Sequence, residues 1–212
     1  MAGWTDPKTG FNIRQNMWNC PNDCGAQTLW ANSASSWGVV SDQPKGNTAV
    51  LAYPDAQDIL TLPNGNPAPL SGFKAITASF KQSQPKVGDF EAAFDIWLNN
   101  WNTEIMIWTQ NPGQVPLGNV AATLTSDGRR WALFANPGKS GGYPGGPFSF
   151  AMRGGESKGT IHVLSYLQYL IKHKFIPASS TIDDVEYGWE ICSTGGKAED
   201  FDMLGYSLTV QG

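Results

Sequence analysis

Two acids stand where strands are ordinarily apolar. Glu104 lies inside "TEIMIWTQ", residues 103 to 110, and Glu190 inside "VEYGWEICSTGG", residues 185 to 196. An ionised carboxylate is costly to desolvate, so its place in such a run asks for a reason. Successive side chains on a strand point to opposite faces. Ile105 and Ile107 then share one face, and Glu104, Met106 and Trp108 the other. In the preceding run Phe90, Ala92, Phe94, Ile96 and Leu98 form an apolar face, opposite Glu91, Ala93, Asp95 and Trp97. Only "NNWN" separates the two runs, which predicts an antiparallel hairpin. With both apolar faces turned into a core, Asp95, Trp97, Glu104, Met106 and Trp108 come to one outer face. In the 185–192 run Glu186, Gly188, Glu190 and Cys192 oppose Val185, Tyr187, Trp189 and Ile191, so Glu186 competes with Glu190 on spacing alone. Indole faces suit the C–H faces of pyranose sugars, and a carboxyl pair can cleave a glycosidic bond. The plainer alternative is a solvated sheet face carrying stray aromatics.

The elements that must position these acids read as strands. Runs of alternating, β-branched or aromatic character fall at 28–31, 37–40, 48–53, 74–80, 90–98, 103–109, 118–125, 129–135, 147–153, 185–192 and 203–210, between Gly, Pro and Asn punctuation. That spacing predicts an all-β sandwich or barrel. One segment differs: "GTIHVLSYLQYLIKHKF" sets Ile161, Leu164, Leu167, Leu170 and Ile171 at helical spacing, which predicts one amphipathic helix over about 160–174. His162 and His173 are expected there as surface or satisfied helix residues. A single domain spanning residues 1–212 is expected, since β-sandwiches of this length form one unit.

The net charge of −4, without clusters of Lys or Arg, leaves no footprint for a phosphate backbone, so nucleic acid is excluded as an expected partner. No stretch approaches the roughly 20 apolar residues needed to span a bilayer, and "MAGWTDPKTG" lacks the plan of a signal peptide. Of the three cysteines, Cys20 and Cys24 flank a turn-forming "PND" and could close a small disulfide loop, leaving Cys192 a free thiol. No metal site is expected, because zinc needs about four ligands and the two histidines sit on one segment. Asp183, Asp184, Asp200 and Asp202 are expected as solvated turn acids rather than calcium ligands. "GKSGG" around Ser140 has the letters of a nucleophile elbow, but the following "GYPGGP" cannot form the helix that motif needs. "PGKS" lacks the upstream glycine of a phosphate-binding loop.

Over most of its length the sequence resembles the glycoside hydrolase family 12 endoglucanases. "QNMWN" around Trp18, "AAFDIWLNNWNTEIMIW", "VPLG", "RRWALF", "FSFAM", the lone helix and "YGWEICSTGG" come in that family's order, and "EIMIW" is the most specific of them. The resemblance implies a concanavalin-like β-jelly-roll sandwich of two antiparallel sheets. It implies Glu104 as nucleophile, Glu190 as general acid/base and Asp95 as the residue that hydrogen-bonds the nucleophile. Trp18 matches a sugar-stacking tryptophan, Met106 and Trp108 match residues lining the cleft, and Trp97 on the same face is a further candidate for substrate binding. The implied activity is retaining hydrolysis of internal β-1,4 bonds in a β-glucan, whether cellulose, mixed-linkage glucan or xyloglucan, with no cofactor. A secreted monomer is expected. Two departures stand out: the connection from Asp95 to Glu104 is shorter than in many members, and Cys192 occupies a place where a bulkier residue is expected. The rival class is a non-catalytic carbohydrate-binding module or lectin of jelly-roll type; a family 11-like xylanase is disfavoured by the "EIMIW" and "GWE" contexts.

Overall fold

The computed structural model describes residues 2–20, 24–62, 64–136 and 147–212. The motif around Ser140 and the "PND" insert lie outside them. In chain order the strands are β1 (Gly3–Thr5), β2 (Asn12–Arg14), β3 (Gln27–Ser33), β4 (Ser36–Ser41), β5 (Asp55–Ile59), β6 (Ala68–Pro69), β7 (Ala75–Ser83), β8 (Asp89–Leu98), β9 (Thr103–Gln110), β10 (Asn119–Ser126), β11 (Arg129–Ala135), β12 (Phe148–Met152) and β13 (Lys158–Ile161). Helix α1 (Val163–Lys172) follows, then β14 (Thr181–Ile182), β15 (Asp184–Ser193) and β16 (Glu199–Gln211).

The larger sheet runs β1-β2-β5-β15-β8-β9-β12-β11-β10, with β6 and β14 at its side; the smaller runs β13-β7-β16-β4-β3. The ladders are antiparallel except one, in which β12 lies parallel to β9. This is the two-layer jelly-roll sandwich that the alternation and the resemblance implied.

The layers meet through the inward faces that alternation assigned. Phe90, Phe94, Ile96, Ile105, Ile107, Tyr187 and Trp189 of the larger sheet share one buried core with Trp37, Val39, Ile76, Phe80, Phe201 and Met203 of the smaller. Ring pairs bridge the gap: Trp37 to Trp189 at 5.4 Å, Phe80 to Tyr187 at 5.2 Å and Phe90 to Phe201 at 5.1 Å. Edge-to-face pairs of this kind add about 0.5–1.5 kcal/mol each beyond area burial. These contacts hold the larger sheet rigid beneath its outer face.

Helix α1 buries Val163, Leu164, Tyr166, Leu167 and Leu170. The predicted start at 160 is corrected, because residues 158–161 pair with β7 as β13. Asp127, at a left-handed turn between β10 and β11, ties down the helix start by accepting from the His162 backbone N–H at 3.2 Å and the Tyr166 hydroxyl at 3.1 Å. The 48–53 strand is also corrected. That segment forms no continuous ladder: Leu51 N–H and the Ala52 carbonyl pair with Ile191, the Leu51 carbonyl with Asn19 N–H and Tyr53 N–H with the Asn16 carbonyl, before Pro54. Strands β1, β2, β5, β6 and β14 had no counterpart in the reading of the sequence.

Candidate active site

On the outer face of the larger sheet a cleft of about 400 Å³ is lined by Arg14, Asn16, Trp18, Tyr53, Asp95, Trp97, Trp101, Glu104, Glu186 and Glu190. Five of the seven candidate residues meet there: Glu104, Glu190, Asp95, Trp18 and Trp97. Met106 and Trp108 share the face but not the cleft lining. They are buried in a separate apolar cluster with Ala93 and Ala151, against which Phe134 packs. The Trp108 indole N–H points to the Met106 sulfur at 3.4 Å. Large apolar side chains that neighbour one another on this face bury themselves together, so these two form a support beside the cleft.

Three strands carry the acids. β8 is central, with β15 on one side and β9 on the other. Register sets Asp95 opposite both Glu186 and Met106, Trp97 opposite Glu104, and Glu190 opposite Glu91. The β8–β9 hairpin turns through Asn99, Asn100 and Trp101, all at positive φ. Left-handed geometry is unfavourable for a bulky residue such as tryptophan. The turn is held by the Asp183 carboxylate, which accepts from the Trp101 N–H at 3.0 Å, and by Asn99, whose side-chain oxygen accepts from the Thr181 N–H at 3.1 Å. Trp101 stands exposed at the cleft, its ring 6.2 Å from that of Trp97.

Exposure grades the acids. Glu104 and Glu190 are half-buried and open to the cleft, whereas Asp95 and Glu91 are buried, the latter only 1% exposed. The Trp97 indole N–H donates to Asp95 Oδ2 at 3.1 Å. Burial pushes Glu104 up to about 8, with Glu190 and then Glu186 adding to it. Burial and the neighbouring Glu91 carry Glu190 well above the usual carboxylic range. Asp95 is raised in the same way, by burial first and then by Glu104.

The one basic residue in the cleft lining is Arg14. Its guanidinium bridges Asp55 at 2.9 Å and Glu186 at 2.6 Å, and Gln57 links Glu186 at 2.9 Å to Asp184 at 2.8 Å. This pairing occupies Glu186, which spacing alone had left level with Glu190. Arg14, Asn16, Tyr53, Trp101 and Glu91 escaped the sequence reading. Of these Glu91 had a signal, its place on the Asp95 face, and Tyr53 closed the 48–53 run without marking a site; the others sit on short or irregular segments without periodicity.

Cys20 and Cys24 form a disulfide, and Cys192 is a buried free thiol. Among the described residues no helix is long and apolar enough to cross a membrane.

The chain is 28% identical over 209 residues to endoglucanase S of Pectobacterium parmentieri, covering 89% of this chain and 78% of that protein. Its fold superposes on the family 12 xyloglucanase of Bacillus licheniformis in complex with ligand, with a TM-score of 0.87, 25% identity, and coverage of 99% and 97% of the two chains. It also superposes on the xyloglucanase domain of NopAA from Sinorhizobium fredii, solved with cellobiose, at a TM-score of 0.85, 23% identity, and coverage of 99% and 96%. Residues 9–211 match the model of glycosyl hydrolase family 12. With the two-layer fold and the acid-lined cleft already in place, that match over nearly the whole length means the chain belongs to glycosyl hydrolase family 12.

Proposed function

We propose that this family 12 glycosidase, an endo-β-1,4-glucanase, cuts its substrate by double displacement with retention of the anomeric configuration. The observation that carries the reading is the pair of half-buried glutamates, Glu104 on β9 and Glu190 on β15, facing one cleft beside exposed Trp18. Burial raises both, and at Glu190 the neighbouring Glu91 adds to it. The chemistry needs an ionised nucleophile and a protonated acid, and a carboxyl neighbour that favours the protonated form suits Glu190 to the acid's part.

Glu104 attacks the anomeric carbon while Glu190 passes its proton to the departing glycosidic oxygen. Once the glycosyl–enzyme ester has formed, the charge on Glu104 is gone and Glu190 is free to act as base. It takes a proton from water, whose oxygen attacks the anomeric carbon and frees Glu104. Asp95, buried on β8 next to the strand of Glu104 and raised by burial and by the Glu104 charge, has an oxygen with no hydrogen-bond partner among the described residues and is the group that steadies the Glu104 carboxylate during attack. Trp18 and Trp97 offer faces for stacking sugar rings, and the open cleft suits the interior of a chain.

The substrate is a neutral β-1,4-linked glucan such as cellulose, mixed-linkage glucan or xyloglucan. One catalytic unit spans residues 1–212, acting as a monomer outside the cell, where a polymer too large to import is found.

The test is hydrolysis of mixed-linkage glucan, xyloglucan and xylan by the protein and by Glu104→Ala and Glu190→Ala, followed by reducing ends and by the product anomer in NMR. Each variant is expected to lose at least about 10³-fold in kcat, with the β-anomer formed first by the parent. A crystal structure is expected to put the two carboxyls about 5–5.5 Å apart. An inverted anomer, or a gap beyond roughly 6.5 Å, would overturn the nucleophile. Binding without hydrolysis would favour the lectin-like alternative.

A further inference from the structure

The acid proposed as proton donor is not backed by a cation or an amide. Directly across the ladder from Glu190 on β15 stands Glu91 on β8. Glu91 is 1% exposed, and its Oε2 meets no hydrogen-bond partner among the described residues. Paired in register across the two strands, the two carboxyls come within hydrogen-bonding reach of one another. A carboxyl–carboxyl hydrogen bond requires a proton, because two carboxylates have only acceptors to offer.

Among the described residues no positive charge faces the pair. The titratable groups facing it are Glu104 from β9, Cys192 from β15, Asp95 from β8 and Tyr53 from the segment before β5. The Tyr53 hydroxyl is engaged with the Ala93 carbonyl at 3.1 Å. The cleft's cation, Arg14, is bound to Asp55 and Glu186.

We propose that Glu91 is a positioning residue that shares a single proton with Glu190, so that the acid/base works as one half of a carboxyl dyad. The inference rests on the reading of Glu190 as acid/base. Two like charges at this separation in a buried setting cannot both form readily, so the second proton leaves the pair late. Before the first step the shared proton is available to the leaving oxygen, and Glu91 keeps the Glu190 carboxyl turned toward the cleft. When Glu190 acts as base, the proton it takes from water restores the singly protonated pair, with no net change across the cycle.

Glu91→Gln keeps the shape and the hydrogen bond but removes the second acid. With ¹³C-labelled glutamate carboxyls, the parent is expected to titrate Glu91 and Glu190 as a coupled pair, with two steps at least about two units apart. In Glu91→Gln the last proton of Glu190 is expected to leave at least one unit lower. The pH profile of kcat/KM is displaced, while KM at the optimum changes less than about twofold. Independent, single-step titration of both groups in the parent overturns the proposal whether or not the variant folds. So does an unchanged Glu190 titration in a folded Glu91→Gln. Full activity in Glu190→Ala would instead overturn the acid/base reading itself, and the dyad's role with it. Loss of activity in that variant with an unshifted Glu91→Gln sinks the dyad alone.

Discussion

At Asp95 one carboxyl oxygen takes the Trp97 indole N–H, and the other meets no hydrogen-bond partner among the described residues. A buried oxygen without a partner costs about 1–3 kcal/mol, a burden expected where a site must hold a group ready for something else. On the neighbouring strand stands Glu104, the proposed nucleophile. Asp95→Ala is therefore expected to lower kcat about 10²-fold, in line with removal of one preorganised donor, with KM changed less than threefold, because Asp95 acts on Glu104 rather than on the sugar. Steady-state kinetics on a soluble glucan would check the split; a rise in KM at constant kcat would show that Asp95 binds substrate instead. At this scale the alternation in 90–98 and 103–109 was enough to bring Asp95, Trp97 and Glu104 together. It could not tell that Met106 and Trp108 are buried apart from the cleft, because periodicity assigns a face and says nothing of what packs over it.

Among the elements, β15 carries the sharpest constraint. A Cβ added at Gly188 would lie 1.9 Å from the Pro54 carbonyl oxygen and 2.8 Å from the Asp55 Cα. The 51–55 segment crosses β15 at this point, its Pro54 carbonyl accepting from the Trp189 N–H at 3.2 Å. Gly188→Ala must push that segment and β15 apart, and with them Tyr53, Asp55 and Glu190. A loss of roughly 1–3 kcal/mol is expected. At this chain length that corresponds to a melting temperature lower by about 2–12 °C, with activity falling further than stability. Gly72→Ala, where nothing lies within 4 Å, is the matched control and should melt like the parent.

The elements missed in the sequence have a common physical origin. In β5, "DAQDI", the buried positions include Asp55 and Gln57, acids and amides that satisfy Arg14, Glu186 and Asp184 rather than a hydrophobic core. Polar burial of this kind hides a central strand from any search for apolar alternation. β1, β2, β6 and β14 are only two or three residues long, too short for a period to show. The long strands of both sheets, whose inward faces are uniformly apolar, were plain.

For the whole molecule, the concentration of buried acids sets the response to pH. Glu91 and Glu104 are pushed up to about 8 and Asp58 to about 6 by burial, while Asp55 rises under burial and the Glu186 charge despite Arg14. In the unfolded chain these groups return to about 4. Between those values the folded state binds more protons than the unfolded one, so stability falls as pH rises. The protein should therefore melt several degrees higher at pH 5 than at pH 8 in matched buffers. Calorimetry showing a flat or rising trend across that window would mean the buried acids are already ionised at low pH.

The parallel ladder between β12 and β9 bears on how the molecule comes into being. β9 meets β8 through a four-residue turn, but its other neighbour, β12, can reach it only after the β10–β11 excursion has been made, and β15 inserts between β5 and β8 some ninety residues after β8 is synthesised. Neighbours distant along the chain are slow to join. On the ribosome, the strand that bears Glu104 emerges with half of its ladder missing, and the place beside β8 stays open until residue 193 has left the exit tunnel. The acid-lined cleft, which needs β9, β8 and β15 side by side, comes together only after that.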